Sequence, residues 1–277
     1  MAYAPPHALS PSSMGAFTSC PLAFRFSYIQ RLPEPPSAPA SKGTLVHLAL
    51  QHLMWRPAPE RTLEAALADL ARARAELAAD AEFAGLELSD EEWAAFHADA
   101  EVLVRRYFDL ENPREVRPIG LELLVEAELE SGVRLRGIID RLELDAQGEL
   151  VVTDYKTGTA PREAWESKSL AGVHVYALLC EQMFGRRPAR VQLLYLSTPE
   201  RIVTVSTDQT VRGVAVKSAA LMQAVRTACS RDDFRPRPGP LCNWCSFRGF
   251  CPTFGGDPEL AAPTLLGTTP PLPLASV

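Results

Sequence analysis

Two apolar stretches that each run into charge, joined by a short turn, constrain this chain more than any other feature. Residues 134–144 and 150–156 are rich in Val, Ile and Leu and read as β-strands. Between them, Asp145-Ala-Gln-Gly148 has the turn chemistry of a hairpin. Residues two apart on a strand share a face, so Asp154 and Lys156 project together. Pairing the strands symmetrically about Ala146 and Gln147 sets Asp140 opposite Thr153 or Asp154. Two carboxylates and an ammonium then converge on one patch of sheet. Because they end otherwise apolar strands, these charges must face a partner or a cleft. Arg141, beside Asp140, is either a phosphate contact or a salt-bridge partner for an acidic neighbour, and alternation, which points it away from Asp140, favours the second.

The hairpin lies in a chain whose character changes near Pro118. Before it the pattern is helical: a short helix within 12–31, a proline-rich breaker at 33–39 and a helix over 42–55. An Ala/Leu/Glu/Arg-rich helix follows over 61–81. Ser89 followed by Asp90, Glu91 and Glu92 marks the start of another helix, reaching about residue 110. After Pro118 the pattern predicts strands at 120–130, 134–144, 150–156, 189–197 and 201–206, with helices at 163–184 and 211–228. The order divides the chain into an N-terminal segment (1–56), a helical insertion (57–116) and a core of sheet and helices (117–230). A cysteine-rich segment (231–255) and a Pro-, Gly- and Thr-rich tail expected to be poorly ordered (256–277) complete it.

No stretch approaches the roughly 18–20 consecutive apolar residues of a membrane helix, and the N-terminus shows no secretory pattern; no membrane partner and a cytoplasmic location are expected. The net charge of −6 argues against non-specific coating of nucleic acid. It leaves room for a local basic groove, to which Lys168, Arg186 and Arg187 are candidates. Of the six cysteines, Cys242, Cys245 and Cys251 fall within ten residues, which in a cytosolic chain points to metal or cluster ligation rather than disulfides. Three thiolates need a fourth to close a site. Cys180, in an apolar run, and Cys229, at a helix end, read as structural.

A carboxylate pair beside a lysine suits phosphodiester hydrolysis. The carboxylates would hold one or two Mg²⁺ ions, which polarise the phosphoryl oxygen and activate water. The lysine would orient the attacking water and offset charge building on phosphorus. Asp-x-Lys alone is common, and the plain alternative is a surface hairpin with ordinary ion pairs; the apolar strands leading into these charges favour the chemical reading.

The order of motifs resembles the RecB-family exonucleases of the PD-(D/E)xK nuclease superfamily, which include the nuclease domains of RecB and AddB and the CRISPR-associated adaptation nucleases. The matching residues are Ser10-Pro-Ser-Ser-Met through Cys20-Pro-Leu-Ala-Phe24, Gly43-Thr-Leu-Val-His47, Gly137-Ile-Ile-Asp140-Arg141 and Asp154-Tyr-Lys-Thr-Gly158. Tyr176 and the terminal cysteines complete the set, which spans about residues 10–252. The resemblance implies an α/β fold with a restriction-endonuclease-like core, a central mixed sheet flanked by helices. A helical insertion and a cysteine-ligated cluster joining the N- and C-terminal segments would be added to it.

The resemblance also implies roles. His47, Asp140 and Asp154 would be metal ligands for Mg²⁺ or Mn²⁺, with the carbonyl of Tyr155 a further one, and Lys156 the catalytic lysine. Tyr176 matches the tyrosine of a Gln-x-x-x-Tyr helix at the active-site edge. The glutamine position is Gly172 here, a departure that leaves a structural role for Tyr176 equally open; His174 would replace the glutamine only in part. Glu122 and Glu126, on the preceding strand, read as solvated, the alternative being that they lie behind the metal ligands and support them. Cys20 would join Cys242, Cys245 and Cys251 around a [4Fe–4S] cluster, with Zn²⁺ the alternative. The function implied is a metal-dependent DNA exonuclease acting on single strands or DNA ends in repair or recombination. The alternatives are a non-catalytic nucleic-acid-binding module and an accessory nuclease subunit of a helicase complex. No helicase phosphate loop occurs in the sequence, so any motor would be another chain.

Overall fold

The computed structural model describes residues 3–261. Near the N-terminus, Ser10 caps helix α1 (Pro11–Ser19) through a reciprocal pair of hydrogen bonds with Ser13. The helix expected within 12–31 is broken at Cys20, because Pro21 has no N–H with which to continue it. A short α2 (Pro21–Phe24) runs into a widened turn over Arg25–Gln30. Helices α3 (Ala38–Trp55), α4 (Leu63–Leu77), α5 (Ala81–Ala84) and α6 (Asp90–Leu110) follow. Ser89 and Glu92 form the capping box of α6, as their spacing predicts.

Five strands, β1 (Pro118–Glu128), β2 (Arg134–Leu144), β3 (Leu150–Lys156), β4 (Arg190–Tyr195) and β5 (Glu200–Thr204), form one sheet in the order β1-β2-β3-β4-β5. β2 and β3 are antiparallel, with Arg141 opposite Thr153, so the next pair in register is Asp140 with Asp154. β3 and β4 are parallel, and helix α7 (Glu163–Phe184) makes the crossover between them. β5 returns antiparallel to β4, and helix α8 (Asp208–Arg231) follows. The result is a mixed sheet with helices, as expected.

The chain divides into two compact units. Within the described residues, one comprises 3–35, 126–137 and 212–261. Its core joins Phe17, Leu22, Phe24 and Phe26 to Val225, Phe234 and Phe247. The other comprises 36–125 and 138–211. Its core packs α3, α4 and α6 through Leu45, Leu50, Leu70, Phe96, Val104 and Tyr107, together with Tyr155 and Leu194 from the sheet. The expected terminal tail is structured up to Ala261, which is buried and whose carbonyl accepts from Gln30 Nε2; the rest of it, 262–277, lies outside the described residues. Among the described residues no helix is long and apolar enough to cross a membrane.

Candidate metal centre

Helix α3 passes the end of β3 at Gly43. A Cβ there would lie 3.4 Å from Thr157 Oγ1. One turn further along α3, His47 Nε2 stands 3.1 Å from the carbonyl of Tyr155. A carbonyl can only accept, so in the neutral ring Nε2 carries the proton and Nδ1 is left with its lone pair. That lone pair faces carboxylates: Nδ1 is 3.7 Å from Asp140 Oδ2 and 3.9 Å from Glu122 Oε1. A histidine whose N–H is anchored on a main-chain carbonyl while its other nitrogen faces acidic oxygens has the usual arrangement of a metal ligand.

Asp140 is buried, and its Oδ2 accepts the Tyr155 N–H at 2.7 Å. The main chain of Tyr155 therefore holds two of the candidate ligands, His47 through C=O and Asp140 through N–H. Donor atoms of His47, Glu122 and Asp140 all lie within 4.8 Å of one another. Asp154 stands beside this trio, its Oδ2 2.7 Å from Lys156 Nζ. That oxygen is buried and has the ion pair but no well-directed hydrogen bond.

The electrostatics are those of a site short of positive charge. Burial, then the Asp140 and Asp154 carboxylates, push Glu122 up to about 8. Burial raises Asp140 to about 6, and Asp154 adds to the rise while His47, Lys156 and the Tyr155 N–H oppose it. Burial alone would depress the Lys156 amine, but Asp154 and then Asp140 hold it above its ordinary value. Tyr176 is buried, and its hydroxyl is driven well up by burial and by Asp154, Asp140 and Glu122. It therefore lies within electrostatic reach of all three acids.

Glu122 was expected to be solvated, and the structure corrects this. Its backbone adopts a φ of 45°, outside the extended region. The kink breaks the two-residue alternation of β1 and is accompanied by close packing at Gly120, where a Cβ would meet Leu123 Cδ2 at 3.0 Å. The only sequence signal was the glycine two residues before it. Glu126 is about one-third exposed and pairs with Arg134 at 3.3 Å.

Of the groove candidates, the two with described side chains are both engaged in ion pairs. Arg186 pairs with Glu149, and Arg187 with Glu181 and Asp208; the Lys168 side chain lies outside the described residues. His174, two residues after Gly172, is hydrogen-bonded through Nδ1 to Ser206 Oγ at 2.8 Å.

In the first unit, Cys20, Cys242, Cys245 and Cys251 are half-buried and free. Burial raises the Cys245 thiol, an N–H from Phe247 opposes the rise, and Cys20, Cys242 and Cys251 all act on it. The four therefore gather at one place, lining a cavity of about 450 Å³ with Leu22, Phe26 and Phe247. Main-chain N–H groups of Arg237 and Gly239 point at Cys20 Sγ (3.4 Å) and Cys242 Sγ (3.3 Å). Cys180 and Cys229 are buried elsewhere, and burial pushes the Cys180 thiol up to about 12.

The family model of the PD-(D/E)XK nuclease superfamily matches residues 8–252. No curated protein matches the chain. A crystal structure of a protein from Eubacterium rectale, provisionally named an exonuclease, is similar at a TM-score of 0.53 and 14% identity, covering 86% of this chain and 87% of that one. At that identity the likeness concerns the fold alone. The structure of SSO0001 aligns at a TM-score of 0.39 and 14% identity over 76% of this chain and 84% of that one, too loosely to carry an argument.

Proposed function

We propose, from the premise that this chain belongs to the PD-(D/E)XK nuclease superfamily, that it is a metal-dependent DNA exonuclease of the RecB type. The observation that carries this reading is the convergence of His47, Glu122 and Asp140 within 4.8 Å, beside the Asp154–Lys156 pair. The donor set fits a divalent cation. It supplies one ring nitrogen and several carboxylate oxygens, two of the acids are pushed up by burial and then by neighbouring carboxylates, and a buried oxygen of Asp154 lacks a directed partner. His47, Glu122, Asp140 and Asp154 would hold Mg²⁺ or Mn²⁺, and the Tyr155 carbonyl keeps a second lone pair for it. When bound, the ion would supply Lewis-acid polarisation of the phosphate and a water of lowered pKa.

The chain's own groups do the rest. Lys156, kept charged by Asp154, orients the attacking water and faces the negative charge that builds on the phosphate. Tyr176, within electrostatic reach of the three acids, keeps its proton and acts as a hydrogen-bond donor rather than a base. The substrate we assign is a DNA end or single strand, processed in repair or recombination.

End-labelled linear DNA, single- and double-stranded, should be shortened in Mg²⁺ or Mn²⁺ while circular single strands survive. Asp154→Ala and Lys156→Ala should each lose at least about two orders of magnitude in rate, the scale typical of losing electrostatic or acid–base assistance. Undiminished cleavage by either variant would refute the site. Binding of DNA with no metal-stimulated turnover would favour the non-catalytic module instead.

We propose further that Cys20, Cys242, Cys245 and Cys251 hold a [4Fe–4S] cluster that ties the N-terminal helices to the C-terminal segment. The N–H groups aimed at two of the sulfurs favour thiolates. Anaerobic purification should give a brown protein containing iron. A colourless protein with one zinc and no iron sinks the assignment.

A further inference from the structure

Behind the metal centre lies a second charged cluster to which the proposed reaction gives no role. Arg141 is fully buried, with none of its surface exposed. Its Nη1 donates to Glu111 Oε1 at 2.5 Å and to the Tyr155 hydroxyl at 2.7 Å. Nη2 donates to Glu111 Oε2 at 3.0 Å and Thr153 Oγ1 at 3.2 Å. Nε lies 2.5 Å from Glu143 Oε2. Tyr107, from α6, donates to Glu111 at 2.6 Å, and Gln192, from β4, to Thr153 at 2.7 Å. One guanidinium thus links the C-terminal end of α6 with β2 and β3.

Stability is a poor reason for this cluster. Removing an arginine and two carboxylates from water is costly, and a well-packed apolar trio in the same space is often as stable or more so. What an apolar trio lacks is a directed grip on Tyr155. The ring of that residue ends on Arg141, while its main chain carries His47 on the carbonyl and Asp140 on the N–H. A shift of Tyr155 would therefore move both donors together.

We propose that Arg141, held by Glu111 and Glu143, is a positioning residue for the metal centre, fixing Tyr155 so that His47 and Asp140 meet one ion. The inference rests on the metal-centre reading above and extends it to residues that touch neither metal nor substrate. The Tyr155 hydroxyl is its point of action.

The test is Mn²⁺ binding by the full-length protein, measured by calorimetry and by the Mn²⁺ paramagnetic resonance signal, with no DNA present. Tyr155→Phe removes one hydroxyl and leaves the main chain intact. Arg141→Lys keeps the charge and loses the fork. Each should weaken Mn²⁺ binding on the order of tenfold, the usual minimum for loss of an outer partner of a ligand. Asp69→Asn breaks a different ion pair of the same unit, between the buried Asp69 and the partly exposed Arg56 at 2.7 Å; it should lower stability and leave Mn²⁺ affinity unchanged. Folded Tyr155→Phe with affinity within about twofold of wild type, well short of that tenfold, overturns the inference, whether or not Arg141→Lys folds. A folded wild type that binds no Mn²⁺ overturns the metal-centre reading itself, and the two failures are thereby told apart.

Discussion

Glu122 and Asp140 share a mostly buried space in which the nearby positive charge of Lys156 is already committed to Asp154. The consequence is a proton-linked site. With its carboxyl at about 8, Glu122 is protonated at neutral pH in the metal-free protein and must ionise to become a ligand. Mn²⁺ uptake at pH 7 should therefore release close to one proton, and fewer above pH 8; calorimetry in buffers of different ionisation heat measures the number. The same shift acts on folding. A carboxyl whose folded pKa lies above its unfolded one holds more protons when folded, so the metal-free protein loses stability as pH rises from the unfolded value of 4.5 to about 8. Melting temperatures in chelator should fall across that window, and saturating Mn²⁺ should flatten the slope. Glu122→Gln should abolish most of both effects.

At the scale of elements, the site is where a helix meets a hairpin. Gly43 lies at the contact. Alanine there places a methyl 3.4 Å from Thr157 Oγ1, an ordinary contact, and gains about 0.8–1 kcal/mol of helix propensity. Gly43→Ala should therefore be stable and active. Gly43→Val should push α3 off β3 and weaken Mn²⁺ binding, as titration will show. The hairpin was readable in the sequence because period-two alternation and a turn at Asp145–Gly148 leave a register uncertain by one residue, and the observed pairing falls within it. The Ser89 cap was readable for a similar reason, since capping is a local interaction over three residues. Glu122 was not, because the kink that turns it inward breaks the alternation by which faces are assigned. The Arg141 cluster was half readable. Alternation aims Arg141 away from Asp140, but its partner Glu111 lies 30 residues earlier, at the end of a helix, and only tertiary packing brings it there.

Across the whole molecule, the two compact units hold different chemistry: the carboxylates, His47 and Lys156 in one, the four cysteines in the other. The cysteine-bearing unit is assembled from three separate stretches of chain, and its core of Phe17, Phe24, Phe26, Phe234 and Phe247 is modest. The cluster proposed above would draw its ligands from two of those stretches and close a loop of more than 200 residues between Cys20 and Cys242, which would restrict the unfolded chain strongly in the loop-entropy view. Cys242→Ser should accordingly strip amide-exchange protection from residues 3–35 and 212–261, while Mn²⁺ titration of the other unit reports an unchanged affinity. Exchange that stays at the wild-type level would remove the structural role we assign to the cluster.

The left-handed backbone at Glu122 also bears on how this protein would respond to selection. A non-glycine residue in that conformation costs on the order of 1–3 kcal/mol, and here the same residue brings a carboxylate into a space already crowded with acids. Glu122→Gly relieves both at once. A library ranked by melting temperature in chelator should carry Glu122→Gly toward the top, and the same library ranked by DNA digestion should drop it to the bottom. At this position thermostability and turnover would be bred in opposite directions.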